Sequence, residues 1–195
     1  MTRSETTRTI TRTMARGAAA GLVATCTMSA VLALAKASGW LGEPPPRKLT
    51  RRVLDRLGFR VRGKTLDATT LVAHAGYGVA TGILYAMIPG RRAPVLRGTV
   101  FGLGVWAASY MGWIPALGLM SRPKNDRPGR PTSMILAHLV FGATLGAVDR
   151  AARRMSRARP RLDDALTGWS AMDEAERHGA SALLPVAPHA ATGES

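Results

Sequence analysis

Four stretches of this chain contain no Asp, Glu, Lys or Arg: 17–35, 68–90, 98–121 and 131–148. A helix rises 1.5 Å per residue, so about 20 residues cross a hydrocarbon core of ~30 Å. Each stretch is close to that length, and a water-soluble domain of 195 residues has no need of four such runs. Composition supports this once charge is read by position. The chain carries 27 Lys+Arg against 12 Asp+Glu, a formal net charge of +15, yet its mean hydropathy is +0.03. Both values hold because the basic residues are confined between the runs. The expectation is an all-α integral membrane protein, a four-helix bundle with spans at about 17–35, 69–88, 98–120 and 131–148. A soluble enzyme is excluded on this reading, and the single cysteine, Cys26, excludes a disulfide scaffold.

The segments between the runs set the organisation. Residues 1–15 form a polar basic leader with Arg3, Arg8 and Arg12, and the membrane domain covers 16–150. Ala33-Leu34-Ala35 matches a signal-cleavage pattern, but the preceding run is longer than a signal core and opens on a helix-packing Gly17-x-x-x-Gly21, so it reads as a retained span. In the first connector Pro44-Pro45-Pro46 precedes Leu49, Val53, Leu57 and Val61, spaced every four residues. Segment 47–62 therefore reads as an amphipathic basic helix stopping near Gly58, either in the headgroup plane or packed on the bundle. Its Arg47, Arg51, Arg52 and Arg56 are candidate ligands of anionic lipid headgroups, as are Arg150, Arg153 and Arg154 in the collar after the last span. Pro115 should kink or end the third helix. Residues 151–195 read as that collar followed by a mobile acidic tail.

The runs repeat in pairs. Arg16-Gly17-x-x-x-Gly21-Leu22 recurs as Arg97-Gly98-x-x-x-Gly102-Leu103. His74-x-x-Tyr77-Gly78-x-x-x-Gly82 recurs as His138-x-x-Phe141-Gly142-x-x-x-Gly146, in the same order but at a shorter offset, because the first connector is the longer one. Two tandem transmembrane hairpins keep one orientation, which makes this a parallel internal repeat. Small residues let helices approach closely where lipid removes the hydrophobic drive, so Gly17, Gly21, Gly78, Gly82, Gly98, Gly102, Gly142 and Gly146 are the candidate packing positions. His74 and His138 then lie at similar depth, each in line with two glycines.

These motifs carry a family resemblance. Pro45-Pro46-Arg47, His74 with Gly82 and Tyr85, Gly98-x-x-x-Gly102, Pro115-Ala116-Leu117-Gly118-Leu119 and Ala137-His138-Leu139-Val140 together resemble the YagU-like bacterial inner-membrane proteins over residues 16–154. The resemblance implies a multi-pass protein of the bacterial inner membrane. It implies no catalytic or ligand residues. This chain departs in its shorter first connector and longer acidic tail.

Ionisable residues inside a membrane are the first place to look for chemistry, and within the four runs only His74 and His138 qualify. An imidazole titrates near pH 6.5, so the pair is a candidate proton-responsive element; the plainer reading, a structural hydrogen bond from each, is favoured. Two histidines without a carboxylate or thiol at their depth do not complete a metal site, and no cofactor motif is present. Ser29, Thr81 and Ser109 have no carboxylate to complete a triad. Trp106, Tyr110 and Trp113 share a helix face, suited to bundle packing or to lining a site for an apolar ligand. Arginines flanking apolar runs meet anionic lipid before nucleic acid, so lipid is the expected partner, with a homo-oligomer compatible with the spare glycine faces. Thirteen basic residues fall on each side, so charge does not orient the chain; the compact collar favours both termini in the cytoplasm. The functional expectation is a non-enzymatic inner-membrane protein with a structural or envelope-maintenance role. The alternative is a conduit for protons or a small solute between the repeats, with an intramembrane enzyme third.

Overall fold

The computed structural model describes residues 3–90, 92–120 and 129–182, beyond Ser156 mainly as backbone. The protein is all-α. Its elements are α1 (Arg3–Ala37), α2 (Pro45–Arg56), α3 (Gly63–Met87), α4 (Pro94–Trp106), a π-helical segment (Ala107–Trp113), the short α5 (Ile114–Ala116) and α6 (Arg130–Ala182). With α4, the π segment and α5 taken as one interrupted rod, there are five helices among the described residues. The chain divides into two units, Met1–Ala152, which holds every contact discussed below, and Arg153–Ser195. The second unit is helical up to Ala182. The segment read from the sequence as an acidic tail is helical that far, in keeping with its Ala, Leu, Arg and Glu content. Residues 183–195 of that tail and residues 121–128 lie outside the described residues.

Two helices among the described residues are long and apolar enough to cross a membrane, Ser4–Ala37 and Arg130–Ser156. The other two expected spans fall short for different reasons. α3 has 25 residues, but Thr, Tyr, His and Gly dilute its hydropathy. The third run is regularly helical over only the 13 residues of α4. Its break begins at Ala107, eight residues before Pro115. The Ile114 amide donates to the Ser109 carbonyl, a five-residue step, and Gly112 has non-helical angles (φ −100°, ψ −108°). Pro115 has no amide to offer to the preceding turn, and the chain relieves that loss with wider turns upstream.

α2 begins with Pro45 and Pro46 in its first turn, where a missing amide costs nothing. It ends in a Schellman motif: Gly58 takes φ 85° and bonds the Asp55 carbonyl, while Phe59 bonds that of Leu54.

Glycines set the helix contacts. A Cβ on Gly17 would lie 2.6 Å from the Gly82 carbonyl oxygen and 2.7 Å from the Ala86 Cβ; one on Gly21 would overlap the Gly78 carbonyl, so α1 and α3 touch backbone to backbone. α4 and α6 do the same. A Cβ on Gly98 would strike the Gly142 carbonyl, one on Gly102 the His138 carbonyl, and one on Gly146 the Pro94 carbonyl. Thr27 of α1 bonds Thr144 of α6 at 3.1 Å. Between these contacts Ala20, Ala24, Met28 and Leu32 form one core with Tyr85, Ala137, Phe141 and Leu145.

The outward faces are apolar. Leu34 of α1, Leu71 and Val72 of α3, and Leu96 and Val100 of α4 are all more than 60% exposed. Within, the apolar core is joined by the buried polar side chains of Thr25, Thr81, Ser109, Arg130, Ser133, His138 and Asp149.

Candidate functional site

The glycine contacts leave a cavity of about 380 Å³ bordered by α1, α2, α3, the π segment and α6. One of its walls departs from regular helix. Where α1 continues as a regular helix, the third run turns into the π segment, which carries Ser109, Tyr110 and Trp113 to the cavity. A π turn is rare in proteins and concentrates at functional positions. The lining is mostly apolar, and among the described residues no charged side chain contributes to it.

Both predicted histidines border this one cavity. They differ in their bonding. His138 is 6% exposed, and its Nδ1 lies 2.8 Å from the Met134 carbonyl. A carbonyl only accepts, so Nδ1 carries the proton, and in the neutral ring Nε2 is left as an acceptor. The Nε2 of His74 is buried and meets no hydrogen-bond partner among the described residues; the indole nitrogen of Trp106 is in the same condition. Buried polar atoms are nearly always paired, so each such exception calls for an explanation.

The hydroxyl groups around the cavity are otherwise committed. Thr25, Thr50, Thr69 and Thr81 each donate to the carbonyl four residues back, at 2.8 to 2.9 Å. Tyr77 and Ser109 share a 2.9 Å bond that joins α3 to the π segment. Ser109 thus faces a phenol and not a base. Of the aromatic face expected from the sequence, Tyr110 and Trp113 line the cavity, whereas Trp106 packs behind it against Tyr110, ring centroids 6.2 Å apart.

The arginines expected at lipid headgroups divide into two sets. Those of α2 are engaged within the protein. Arg51 forks onto Glu43 at 2.5 and 2.8 Å, and Arg47 bonds Glu43 at 2.9 Å and Asp67 at 2.6 Å. Arg52 donates to the Leu119 carbonyl, and Arg56 donates to that of Leu117 at 2.5 Å. Carbonyls at the end of a helix have lost their intrahelical partners, and these guanidinium groups supply the missing donors. Partial burial pushes the Glu43 carboxyl up, but the bonds from Arg51 and Arg47 outweigh it and hold the pKa below the ordinary 4.5. α2 is therefore clasped to the protein over the cavity, to which Pro45, Leu49 and Val53 contribute. In the collar, Arg150 and Arg154 are exposed and Arg153 is half-exposed.

Two interactions escaped the sequence reading. Arg16 bonds Asp149 at 2.7 Å, with Asp149 only 2% exposed. Arg97 bonds the Tyr85 and Ile88 carbonyls at 2.9 Å, and its guanidinium lies 4.5 Å from the centre of the Tyr85 ring. The signal was present in the repeat. The step that carries Gly17 onto Gly98 also carries Arg16 onto Arg97, and the step from His74 to His138 also leads from Tyr85 to Asp149.

No match was found among curated proteins or among solved structures. A family match covers residues 11–159, a stretch that includes the whole cavity lining and both arginine contacts. It is to a family of unknown function and not to a named one, so the resemblance to YagU-like proteins gives way to this coarser statement. On that match, the chain belongs to the DUF6789 family.

Proposed function

We propose that this protein is a non-enzymatic resident of the bacterial inner membrane. Its α1, α3, interrupted α4–α5 rod and α6 cross the bilayer as two tandem hairpins, with both termini in the cytoplasm and a structural role in the envelope. One observation carries the reading. Large apolar side chains such as Leu34, Leu71, Val72, Leu96 and Val100 stand outward along α1, α3 and α4, an exposed apolar surface that water disfavours, while threonines, His138 and Asp149 join the apolar core inside. The YagU-like resemblance supports it from the sequence side. Arg150 and Arg154 are the groups left to meet anionic headgroups, and the exposed faces leave room for a second copy.

Topology tests it through the α3–α4 turn. In a Cys26→Ser background, Ser38→Cys, Arg92→Cys and Met155→Cys are labelled with an impermeant maleimide in right-side-out and inverted vesicles. Four crossings put residue 92 on the side of residue 155, opposite residue 38. If residue 92 is labelled with residue 38, only α1 and α6 cross, and the four-crossing reading is wrong.

A second reading, a conduit for protons or a small solute, is favoured by the placing of His74 and His138 on one cavity. Liposomes with a trapped pH dye test it: a proton leak that grows as pH falls and vanishes in the His74→Ala, His138→Ala double variant would bring it forward. Wild-type protein no leakier than empty liposomes would remove the proton version.

A further inference from the structure

The cavity combines three properties that together define a ligand. Its volume, about 380 Å³, falls within the range of small-molecule sites. Its wall carries no charge among the described residues, so an ion would lose its hydration there without compensation. Its threonine protons are spent on backbone carbonyls, and Tyr77 and Ser109 bond each other. Recognition falls to the imidazoles. His138, with its proton on the Met134 carbonyl, presents an acceptor, and the buried Nε2 of His74 has no partner among the described residues.

The way in is also defined. Tyr77 and Trp113 line the cavity yet remain 43% and 40% exposed, their ring centroids 6.5 Å apart. Packed on each other, they close the outer side of the cavity between α3 and the π segment, and a ligand enters where these two exposed rings part. On α3 the exposed Leu84 shares the face of Tyr77 two turns on, so in the membrane-resident reading, on which this inference rests, the entrance faces lipid and not water.

We propose that the cavity binds an uncharged, largely apolar alcohol or phenol that enters from the bilayer and places its hydroxyl at the histidine end. A hydroxyl is the group that answers both rings, since its one proton goes to the His138 acceptor while its oxygen accepts from the Nε2–H of His74. A ketone or ether has no proton for His138. A plain hydrocarbon fills the apolar wall but leaves His74 unpaired, a loss that sets the discrimination.

The test uses the full chain in lipid nanodiscs with a photoactivatable medium-chain alkanol, the attachment sites being mapped by mass spectrometry. Labelling should concentrate on cavity residues such as Ala73, Val105 and Trp113. Unlabelled 1-naphthol should displace it about tenfold better than naphthalene, the value of roughly one well-placed hydrogen bond. In His138→Phe and in His74→Phe that preference should shrink toward parity while naphthalene competes as before, so each variant carries its own control for folding. Ala73→Phe, which adds bulk to the cavity wall, should abolish saturable labelling. Equal competition by naphthol and naphthalene in the wild type would overturn the role of the histidines. Labelling spread over Leu71, Val72 and other lipid-facing positions, with no competition, would overturn the site. Neither outcome bears on the number of crossings, which the cysteine labelling decides separately.

Discussion

Arg16 and Arg97 stand at the same place in the two copies of the repeated motif, and each reaches across to the other half of the bundle. Arg16, on α1, finds the Asp149 carboxylate of α6. Arg97, on α4, finds the ring and carbonyl of Tyr85 on α3. Asp149 and Tyr85 are themselves equivalent under the offset that relates His138 to His74. One guanidinium is answered by a buried charge, the other by a π face and backbone oxygens. The glycine contacts beneath them are alike in kind. Close packing of helices thus admits few solutions, since only the absence of a side chain permits it. A cation at the end of the contact can be satisfied in several ways.

The comparison can be broken or sharpened by substitution. The largest effects should come from the glycines. Gly21→Val and Gly102→Val each drive a Cβ into a backbone carbonyl, of Gly78 and His138 respectively, and no rotamer relieves that. Each should destabilise by about 3 kcal/mol or more, read from thermal unfolding in detergent. If one half tolerates the change, the two contacts are not alike. Arg16→Ala comes next, at about 3 kcal/mol, because it takes a charge-assisted bond from the buried Asp149 carboxylate. Arg97→Ala should cost about 1 to 2 kcal/mol, since it leaves only carbonyls and a ring behind. Equal losses from the two arginine variants would mean that the difference in chemistry carries no energetic weight.

The smallest effect belongs to α2, which only the first half possesses. The Glu43 pKa is lowered in the folded protein, so its contribution is present above the unfolded value near 4.5 and is lost as pH falls below it. Amide protection in α2, corrected for the intrinsic pH trend, should be flat from neutral pH down to about 4.5 and then fall as Glu43 is protonated. Glu43→Gln should remove that fall. An unchanged profile in the variant would show that Arg52 and Arg56 hold α2 without help.

The glycine positions and the two histidines were legible in the sequence because a duplication repeats whatever must stay in register. Gly17, Gly82, Gly98 and Gly146 could be singled out before any coordinate was known, since each sits in a motif that occurs twice. Asp149 could not be read in the same way. It follows an uncharged run by one residue and reads as loop, and its partner lies far away at the other end of the repeat. The arginines of α2 were legible as a basic face but not as a clasp. A guanidinium that could meet a phosphate or a carbonyl is decided by which is near, and the carbonyls of Leu117 and Leu119 come near only through tertiary folding. Pro115 announced a break in the third run. Its upstream reach, through a π segment starting at Ala107, depends on how Gly112 and the packed aromatics share the strain.

The crossing of the two arginines has a consequence for how such a molecule is put together. In an isologous dimer, residue i of one subunit touches residue j of the other, and j touches i. Arg16 with Asp149 and Arg97 with Tyr85 reproduce that reciprocity inside one polypeptide. A lone hairpin bearing both motifs would hold the full set of instructions for joining a copy of itself. Fusion into a single chain releases the two copies from identity, because a change at Asp149 no longer imposes the same change at Tyr85. The unlike histidines, the widened helical turn and the clasp found on one side only are asymmetries that a true pair of identical subunits could not keep.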